Sequence, residues 1–199
     1  MPAKRASKPK RPAYRLKDIP DEAMNDEQRA LRDAIFAGPR GKRPKLNGPF
    51  AIWLHAPQTG IVAQALGAHV RFKTSLSPRL SEFAICATGA IWRAQYEWYM
   101  HAPMAERAGV KPETIADLRA GRAPKRAPKD ERALYDFIKE LYRTRRVSDG
   151  TYKRVHAFLG DQGMVEFAAT LGYYVLISMT LNIFAAQVPE EVALPFREH

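Results

Sequence analysis

The stretch 79–110 carries polar residues of the types that transfer protons, set among apolar neighbours. Glu97 and His101 are four positions apart, so on an α-helix their side chains lie one turn apart on the same face. A carboxylate beside an imidazole can pass protons near neutral pH. Glu82 interrupts an apolar run, where an ionisable group costs free energy unless a partner satisfies it. We therefore take Glu82, Glu97 and His101 as the candidate catalytic residues.

Four further residues of this stretch are candidates for substrate binding. Tyr96 and Trp98 flank Glu97, and we expect them to line a pocket. Arg79 or Arg93 would hold a substrate carboxylate, because a guanidinium binds a carboxylate with two parallel hydrogen bonds. A purely structural interpretation also fits the spacing, since a Glu–His pair on a helix surface contributes about 0.2 to 0.5 kcal/mol to stability without any catalytic role.

These residues resemble a known family. The sequence R-L-S-E at 79–82 and the sequence Y-E-W-x-x-H at 96–101 are similar to motifs of the carboxymuconolactone decarboxylase family, which shares an all-helical fold with the alkylhydroperoxidase D-like proteins. The similarity runs from about Asn25 to Pro195. It implies that Glu82 and His101 occupy the positions of the family's glutamate and histidine, and that the chain forms a homo-oligomer, a trimer, a hexamer or a related ring.

The chain departs from the peroxidase members of that family. Those members carry a C-x-x-C pair, and its two thiols fall here at Ala94 and Glu97, so the resemblance is to the branch without cysteines. The single cysteine, Cys86, lies four residues after Glu82. Because a nearby carboxylate raises the pKa of a thiol and reduces the thiolate fraction, we expect Cys86 to be buried and inert.

Three functions are compatible with these residues. The first is a cofactor-free and metal-free enzyme that transfers protons to, or decarboxylates, a small lactone or oxo acid. Loss of carbon dioxide leaves a carbanion that must be protonated, and a positioned acid and a cation suffice for that step. In this scheme His101 donates or relays the proton, Glu97 orients it, and Glu82 is a second carboxylate or an anchor. The alternatives are a peroxidase-like oxidoreductase and a non-catalytic helical module for binding or oligomerisation.

Length and periodicity predict a single all-α domain. The chain has 199 residues, of which 46% are hydrophobic, which is enough for one core and hardly enough for two. Apolar residues recur at helical spacing throughout, and the usual glycine-rich nucleotide signatures and the G-x-S-x-G hydrolase motif are missing from the sequence. We therefore predict a helical bundle of the alkylhydroperoxidase D-like kind over residues 21–199.

The first 20 residues differ from the rest in composition. Of a net charge of +11, seven charges precede the first acidic residue, Asp18, which leaves +4 on the remainder. We expect residues 1–20 to be a disordered, solvated tail. This tail has no pattern of cations interleaved with aromatic residues, so we expect no nucleic-acid partner. The single cysteine and the absence of an apolar N-terminal run favour the cytoplasm.

Local signals place the main helices. Asn25 and Gln28 form a capping box, and Ser77 followed by Pro78 starts the helix that carries Glu82. A break at 92–94 separates it from the helix of Glu97 and His101. The stretch 167–188 contains no charge and has the length of a membrane span, but polar residues interrupt it. We therefore predict the central helix of a soluble bundle and no membrane partner.

Overall fold

The computed structural model describes residues 11–42 and 44–198. Over these residues the chain forms a short 3₁₀ turn at Asp21–Ala23, eight α-helices and no strand, which confirms the all-α fold. In chain order the helices are α1 Asp26–Ala37, α2 Pro49–Trp53, α3 Pro57–Phe72, α4 Pro78–Ile91, α5 Gln95–Arg107, α6 Pro112–Arg119, α7 Lys129–Thr144 and α8 Asp149–Ile183.

The helices begin where the sequence predicts. The Asn25 side chain accepts from the backbone of Gln28, whose side chain accepts from the backbone of Asn25, so the capping box is complete. Ser77 accepts from the N–H of Leu80 at the start of α4, with Pro78 as the first helical residue. These caps satisfy backbone groups that a helix leaves without partners, and they fix where α1 and α4 start.

Helix α4 is the centre of the fold. It packs against α5, α6, α7 and α8, and ten of its residues are buried. Phe83 belongs to the first of two hydrophobic clusters, which α4 shares with α7. Ile85 faces the second hydrophobic cluster, which α4 shares with α1, α2 and α3. Because both faces of α4 are enclosed by apolar side chains, its polar residues are held in a solvent-poor interior.

The charge-free stretch 167–188, predicted to form a central helix of the bundle, lies up to Ile183 in helix α8, which packs against several other helices. Helix α8 begins at Asp149, bends at Gly160, where φ is 64°, and ends at Ile183. Its inner face packs against α3, α4, α5 and α7, but its outer face is exposed. Helix α8 is the one helix of the described chain with the length and composition of a membrane span, and half of its most apolar window is buried in the fold.

Part of the predicted disordered tail is packed on the protein. Residues 1–10 lie outside the described residues, but the segment 11–20 runs along the C-terminal end of α8. The Arg15 N–H donates to the Phe184 carbonyl, and the Arg11 guanidinium donates to the carbonyls of Val188 and Pro189. Tyr14, Leu16 and Ile19 pack on the second cluster. The predicted disordered tail therefore extends too far at residue 20, because hydrogen bonds of the two arginines and packing of the three apolar side chains anchor this segment.

Candidate functional site

The turn between α4 and α5 brings the three candidate catalytic residues together. Helix α4 ends at Ile91 and α5 begins at Gln95, so the two helices pack side by side. Gly89 faces Glu97 across this contact, where even a Cβ would lie at an ordinary contact distance of 3.4 Å from Cγ of Glu97. Glu82, Glu97 and His101 are all buried in the space between the helices. The fold therefore brings these three side chains together.

The His101 imidazole lies between two carboxylates. Its Nδ1 is 2.7 Å from Oε2 of Glu82, which is a short hydrogen bond between buried groups. Its Nε2 is 3.2 Å from Oε1 of Glu97, one turn earlier on the same helix. An ionised Glu82 requires a proton on Nδ1, and in the neutral imidazole this leaves Nε2 as an acceptor that faces Glu97.

Glu82 is held in its charged form. Burial would raise the pKa of this carboxyl, but the hydrogen bond and charge of His101, together with Arg71, lower the pKa below its ordinary value. Oε1 of Glu82 lies 3.4 Å from Nη2 of Arg71. Glu82 is therefore a negatively charged anchor that fixes the orientation and tautomer of the imidazole.

Glu97 is in a different environment from Glu82. Its carboxyl is buried, and Oε1 has no hydrogen bond of adequate geometry despite the nearby His101. Burial raises the pKa of Glu97, the charge of Glu82 raises it further, and His101 and Arg71 lower it only in part. The two carboxyl groups beside His101 thus have pKa values shifted in opposite directions. Groups whose pKa values are shifted apart in this way can take separate roles as acid and base.

Glu97 and His101 line a small cavity of about 50 Å³, which has room for roughly three or four water molecules. The ring of Tyr174 meets the His101 ring edge to face, with centroids 5.3 Å apart. The other lining residues come from α2, α3, α5, α8 and the loop before α2: Arg40, Asn47, Pro49, Phe50, Arg71, Tyr96, Met100, Met104, Tyr173 and Ile177. This volume is below the usual range for a small-molecule site, about 300 to 1,000 Å³, so the cavity admits at most the reactive end of a substrate.

Arg71 is a site residue that the sequence did not reveal. It lies in the last turn of α3, donates to Glu82, and places Nη2 2.7 Å from Sδ of Met104. Its guanidinium also lies over the ring of Phe72, at 5.0 Å from the centroid. Arg40 lines the same cavity from the loop after α1. No sequence motif surrounds either arginine. The packing of α3 places Arg71 at the site, and the loop after α1 places Arg40 there.

Arg79, predicted to bind a substrate carboxylate, does not reach the cavity. Its guanidinium donates to both Asp130 and Glu131 at the start of α7. Glu131 is completely buried. The Arg79 side chain therefore joins α4 to α7 through an ion-pair network, and Arg71 is the arginine beside the candidate catalytic residues.

Two of the other predicted binding residues also lie elsewhere. Trp98 faces the first hydrophobic cluster, where its ring packs against Phe196 with centroids 5.4 Å apart. Arg93 lies in the α4–α5 turn, and its guanidinium donates to the Arg197 carbonyl at the edge of a different cavity. Successive residues of a helix point about 100° apart, so Tyr96 and Trp98 cannot share one face. Tyr96 does line the cavity, and Gly48 fits against its ring, where a Cβ would lie 2.3 Å from Cε1.

Cys86 is buried in the first hydrophobic cluster, one turn from Glu82. Burial raises the pKa of its thiol well above the ordinary value, and the charges of Glu82 and Glu97 raise it further. A reactive thiolate is therefore disfavoured. In the part of the chain that the structure describes, no group of three or more His, Cys, Asp or Glu side chains is arranged to hold a metal ion.

Comparisons with known proteins agree with this fold. The carboxymuconolactone decarboxylase family model matches residues 57–140, which include Glu82, Glu97 and His101. A search of curated protein sequences gives no significant match. Among solved structures, the chain resembles an uncharacterized peroxidase-related protein from Ralstonia eutropha JMP134, described as an alkylhydroperoxidase AhpD core, with a TM-score of 0.73 and 18% identity over 92% of this chain and 95% of that one. The chain therefore resembles the carboxymuconolactone decarboxylase family over residues 57–140 and has the fold of the alkylhydroperoxidase AhpD core.

Proposed function

We propose that the protein is a cofactor-free lyase or proton-transfer enzyme that acts on a small lactone or oxo acid. The observation that carries the proposal is the placement of His101 between Glu82 and Glu97, two buried carboxyls with oppositely shifted pKa values, at a cavity that Arg71 also lines. The match of residues 57–140 to the carboxymuconolactone decarboxylase family model supports this class of reaction.

The raised pKa of Glu97 suits this residue to the role of acid. When the carbon–carboxylate bond breaks, carbon dioxide leaves and the electron pair stays on the substrate as a carbanion or enolate. Protonated Glu97, which lines the cavity, gives its proton to that carbon. A proton from the solvent then adds to Nε2 of His101, ionised Glu82 stabilises the resulting imidazolium, and Nε2 passes this proton to the Glu97 carboxylate, which restores the acid and the neutral imidazole.

The cations of the cavity suit an anionic substrate. Arg71 is a guanidinium within reach of both the cavity and Glu82, and Arg40 lines the same cavity. A guanidinium binds a carboxylate through two hydrogen bonds and lowers the energy of an enolate oxygen. Arg71 therefore takes the binding role that the sequence suggested for Arg79 and Arg93, and the substrate is expected to carry at least one carboxylate.

The peroxidase-like alternative has weaker support. The observation that favours this alternative is the similarity in fold to a protein described as peroxidase-related. At 18% identity, this similarity is evidence for the fold alone. Its chemistry requires a thiolate, and Cys86 is the single cysteine of the sequence. The raised pKa of Cys86 and its burial away from the cavity work against that chemistry.

The proposal is tested by turnover in deuterated water. Wild-type protein is screened against small lactone and oxo acids that carry a carboxylate, with carbon dioxide release and deuterium incorporation at the product carbon as readouts. Glu97→Gln, which removes the acid while keeping the shape, should lower the rate about 100-fold or more. Glu106→Gln, an exposed glutamate on the same helix, is the matched control and should leave the rate unchanged.

Two results would contradict the proposal. If Glu97→Gln releases carbon dioxide and incorporates deuterium at the wild-type rate, Glu97 is not the acid. If wild-type protein turns over no substrate of this class but reduces a hydroperoxide, and Cys86→Ser abolishes that reduction, the peroxidase-like function is correct instead. If the folded protein neither turns over a lactone or oxo acid nor reduces a hydroperoxide, the result would support the third function, a non-catalytic helical module for binding or oligomerisation.

A further inference from the structure

A second and larger cavity lies at the other side of Tyr96 from the candidate catalytic residues. Its volume is about 420 Å³, and it is enclosed by the segment 11–15, the α4–α5 turn, the end of α8 and the C-terminal residues. Tyr96 lines both this cavity and the smaller one. The volume lies within the usual range for a small-molecule site, about 300 to 1,000 Å³.

This second cavity is strongly positive. Four guanidinium groups line it, from Arg11, Arg15, Arg93 and Arg197. The guanidinium groups of Arg11, Arg15 and Arg93 donate hydrogen bonds to backbone carbonyls, including those of Val188, Ile183 and Arg197 respectively. Within residues 11–42 and 44–198, no carboxylate forms an ion pair with any of the four arginines. Carbonyl groups orient a guanidinium but leave its full unit of charge in place.

One carboxylate lines the cavity in the described chain, and it is already engaged. Oε1 of Glu198 accepts a hydrogen bond of 2.8 Å from the Gln95 amide. The cavity therefore combines four cations with one anion. Much of the remaining wall is apolar, and it includes the half-buried indole of Trp92 and the side chains of Leu181, Val188 and Leu194.

We propose that this cavity is a separate binding site for a small organic anion. The carboxylate or phosphate group of the ligand contacts Arg93 and Arg197, which are exposed and can rearrange. Arg11 is held by backbone carbonyls of the segment after α8 and Arg15 by the last carbonyl of α8, so these two arginines supply a fixed positive field. The apolar body of the ligand packs against Trp92 and Leu181. This site does not depend on the reaction proposed for Glu97 and His101.

Tryptophan fluorescence tests the site directly. Trp53 and Trp98 are buried in the two hydrophobic clusters, so Trp92 is the tryptophan that contacts the cavity. Titration of wild-type protein with phenyl phosphate should give a saturable change in fluorescence, which Trp92→Phe should abolish. Inorganic phosphate should bind more weakly than phenyl phosphate, because it has no apolar body, and added salt should weaken both.

Charge variants separate this cavity from general attraction to a basic protein. Arg93→Gln combined with Arg197→Gln should lower the affinity for phenyl phosphate about tenfold to hundredfold, as expected for two lost charge-assisted contacts. Arg126→Gln removes an exposed arginine in the α6–α7 loop, outside the cavity, and should leave the affinity unchanged. Thermal melts check that each variant is folded.

The proposal fails if folded wild-type protein shows no saturable response to phenyl phosphate. It also fails if the double arginine variant binds as tightly as wild type, or if Arg126→Gln weakens binding to the same extent as the double variant. A response that persists in Trp92→Phe with unchanged affinity would place the bound anion elsewhere and would equally overturn the assignment.

Discussion

His101 Nδ1 lies 2.7 Å from Glu82 Oε2, and this contact joins α5 to α4 across 19 positions of the sequence. Both side chains are buried, so the contact is protected from water and depends on a close fit of the two helices. It makes Glu82 a positioning residue: the carboxylate does not line the cavity, and it acts on a substrate only through the imidazole.

The Glu82–His101 contact predicts a pH-dependent contribution to stability. The pKa of Glu82 in the folded protein is lower than its ordinary value of 4.5, so the stabilisation is complete above pH 4.5 and disappears as the pH falls through the lowered value. Glu82→Gln lacks this stabilisation and should lose about 1.5 to 3 kcal/mol near pH 7. The difference in Tm between wild type and variant should therefore shrink as the pH is lowered below 4.5. A difference that grows under acid would contradict the assignment of Glu82 as an ionised anchor.

Glu97 and His101 should behave as one catalytic unit. Glu97→Gln and His101→Gln are each expected to remove most of the turnover, and the double variant should be little worse than either single variant, because residues that act together are not additive. Since the pKa of Glu97 is raised, kcat should stay high above pH 4.5 and fall once the pH passes the raised value. Fully additive losses with large shifts in Tm would indicate a structural pair instead.

Some of this site follows from sequence spacing and some does not. Glu97 and His101 lie on the same face of α5 because they are four residues apart on a helix. The break before Gln95 lets α5 fold back on α4. Arg79 was misassigned because its partners, Asp130 and Glu131, come 51 and 52 positions later on α7. Arg71 was missed for the same reason: its role depends on how α3 packs, and no local pattern encodes that packing.

The two arginines Arg71 and Arg79 provide a matched pair of variants. Arg71→Gln should raise KM for a carboxylate substrate about tenfold or more, because the guanidinium lines the cavity, and should destabilise the protein less than Arg79→Gln, because Glu82 keeps its hydrogen bond to His101. Arg79→Gln should lower stability by about 3 to 5 kcal/mol, since it leaves the buried carboxylate of Glu131 without its cation, and should leave KM unchanged. Steady-state kinetics and thermal melts of both variants distinguish the roles. The reverse pattern would restore Arg79 as the binding residue.

Cys86 should be chemically silent in the folded protein. Its thiol is buried and its pKa is raised, so Ellman's reagent should label it only after denaturation. Cys86→Ser should leave turnover of a lactone or oxo acid unchanged, although burial of a hydroxyl in an apolar cluster costs about 1 to 3 kcal/mol of stability. Rapid labelling of the native protein would show that the thiol is accessible and would support the peroxidase-like function.

The outer face of α8 predicts how copies of the chain associate. Val165, Ala169, Gly172, Leu176, Met179 and Ile183 are all exposed and follow one another at alternating steps of four and three residues. That spacing is the a/d pattern by which one helix packs against another, and the small residues in its middle allow close approach. A second copy of this chain is the natural occupant, since the same apolar seam on each protomer is self-complementary.

Light scattering coupled to size-exclusion chromatography tests this homo-oligomer. Wild-type protein should elute as a dimer or a larger assembly, and Leu176→Lys should shift it toward the monomer, because a charge in the seam would be buried without a partner on association. Phe158→Lys is the matched control: this residue is equally exposed on α8 but lies before the bend at Gly160, outside the seam. Its assembly should be that of wild type. If wild type is monomeric at all concentrations, or if only Phe158→Lys dissociates it, the seam is not the interface.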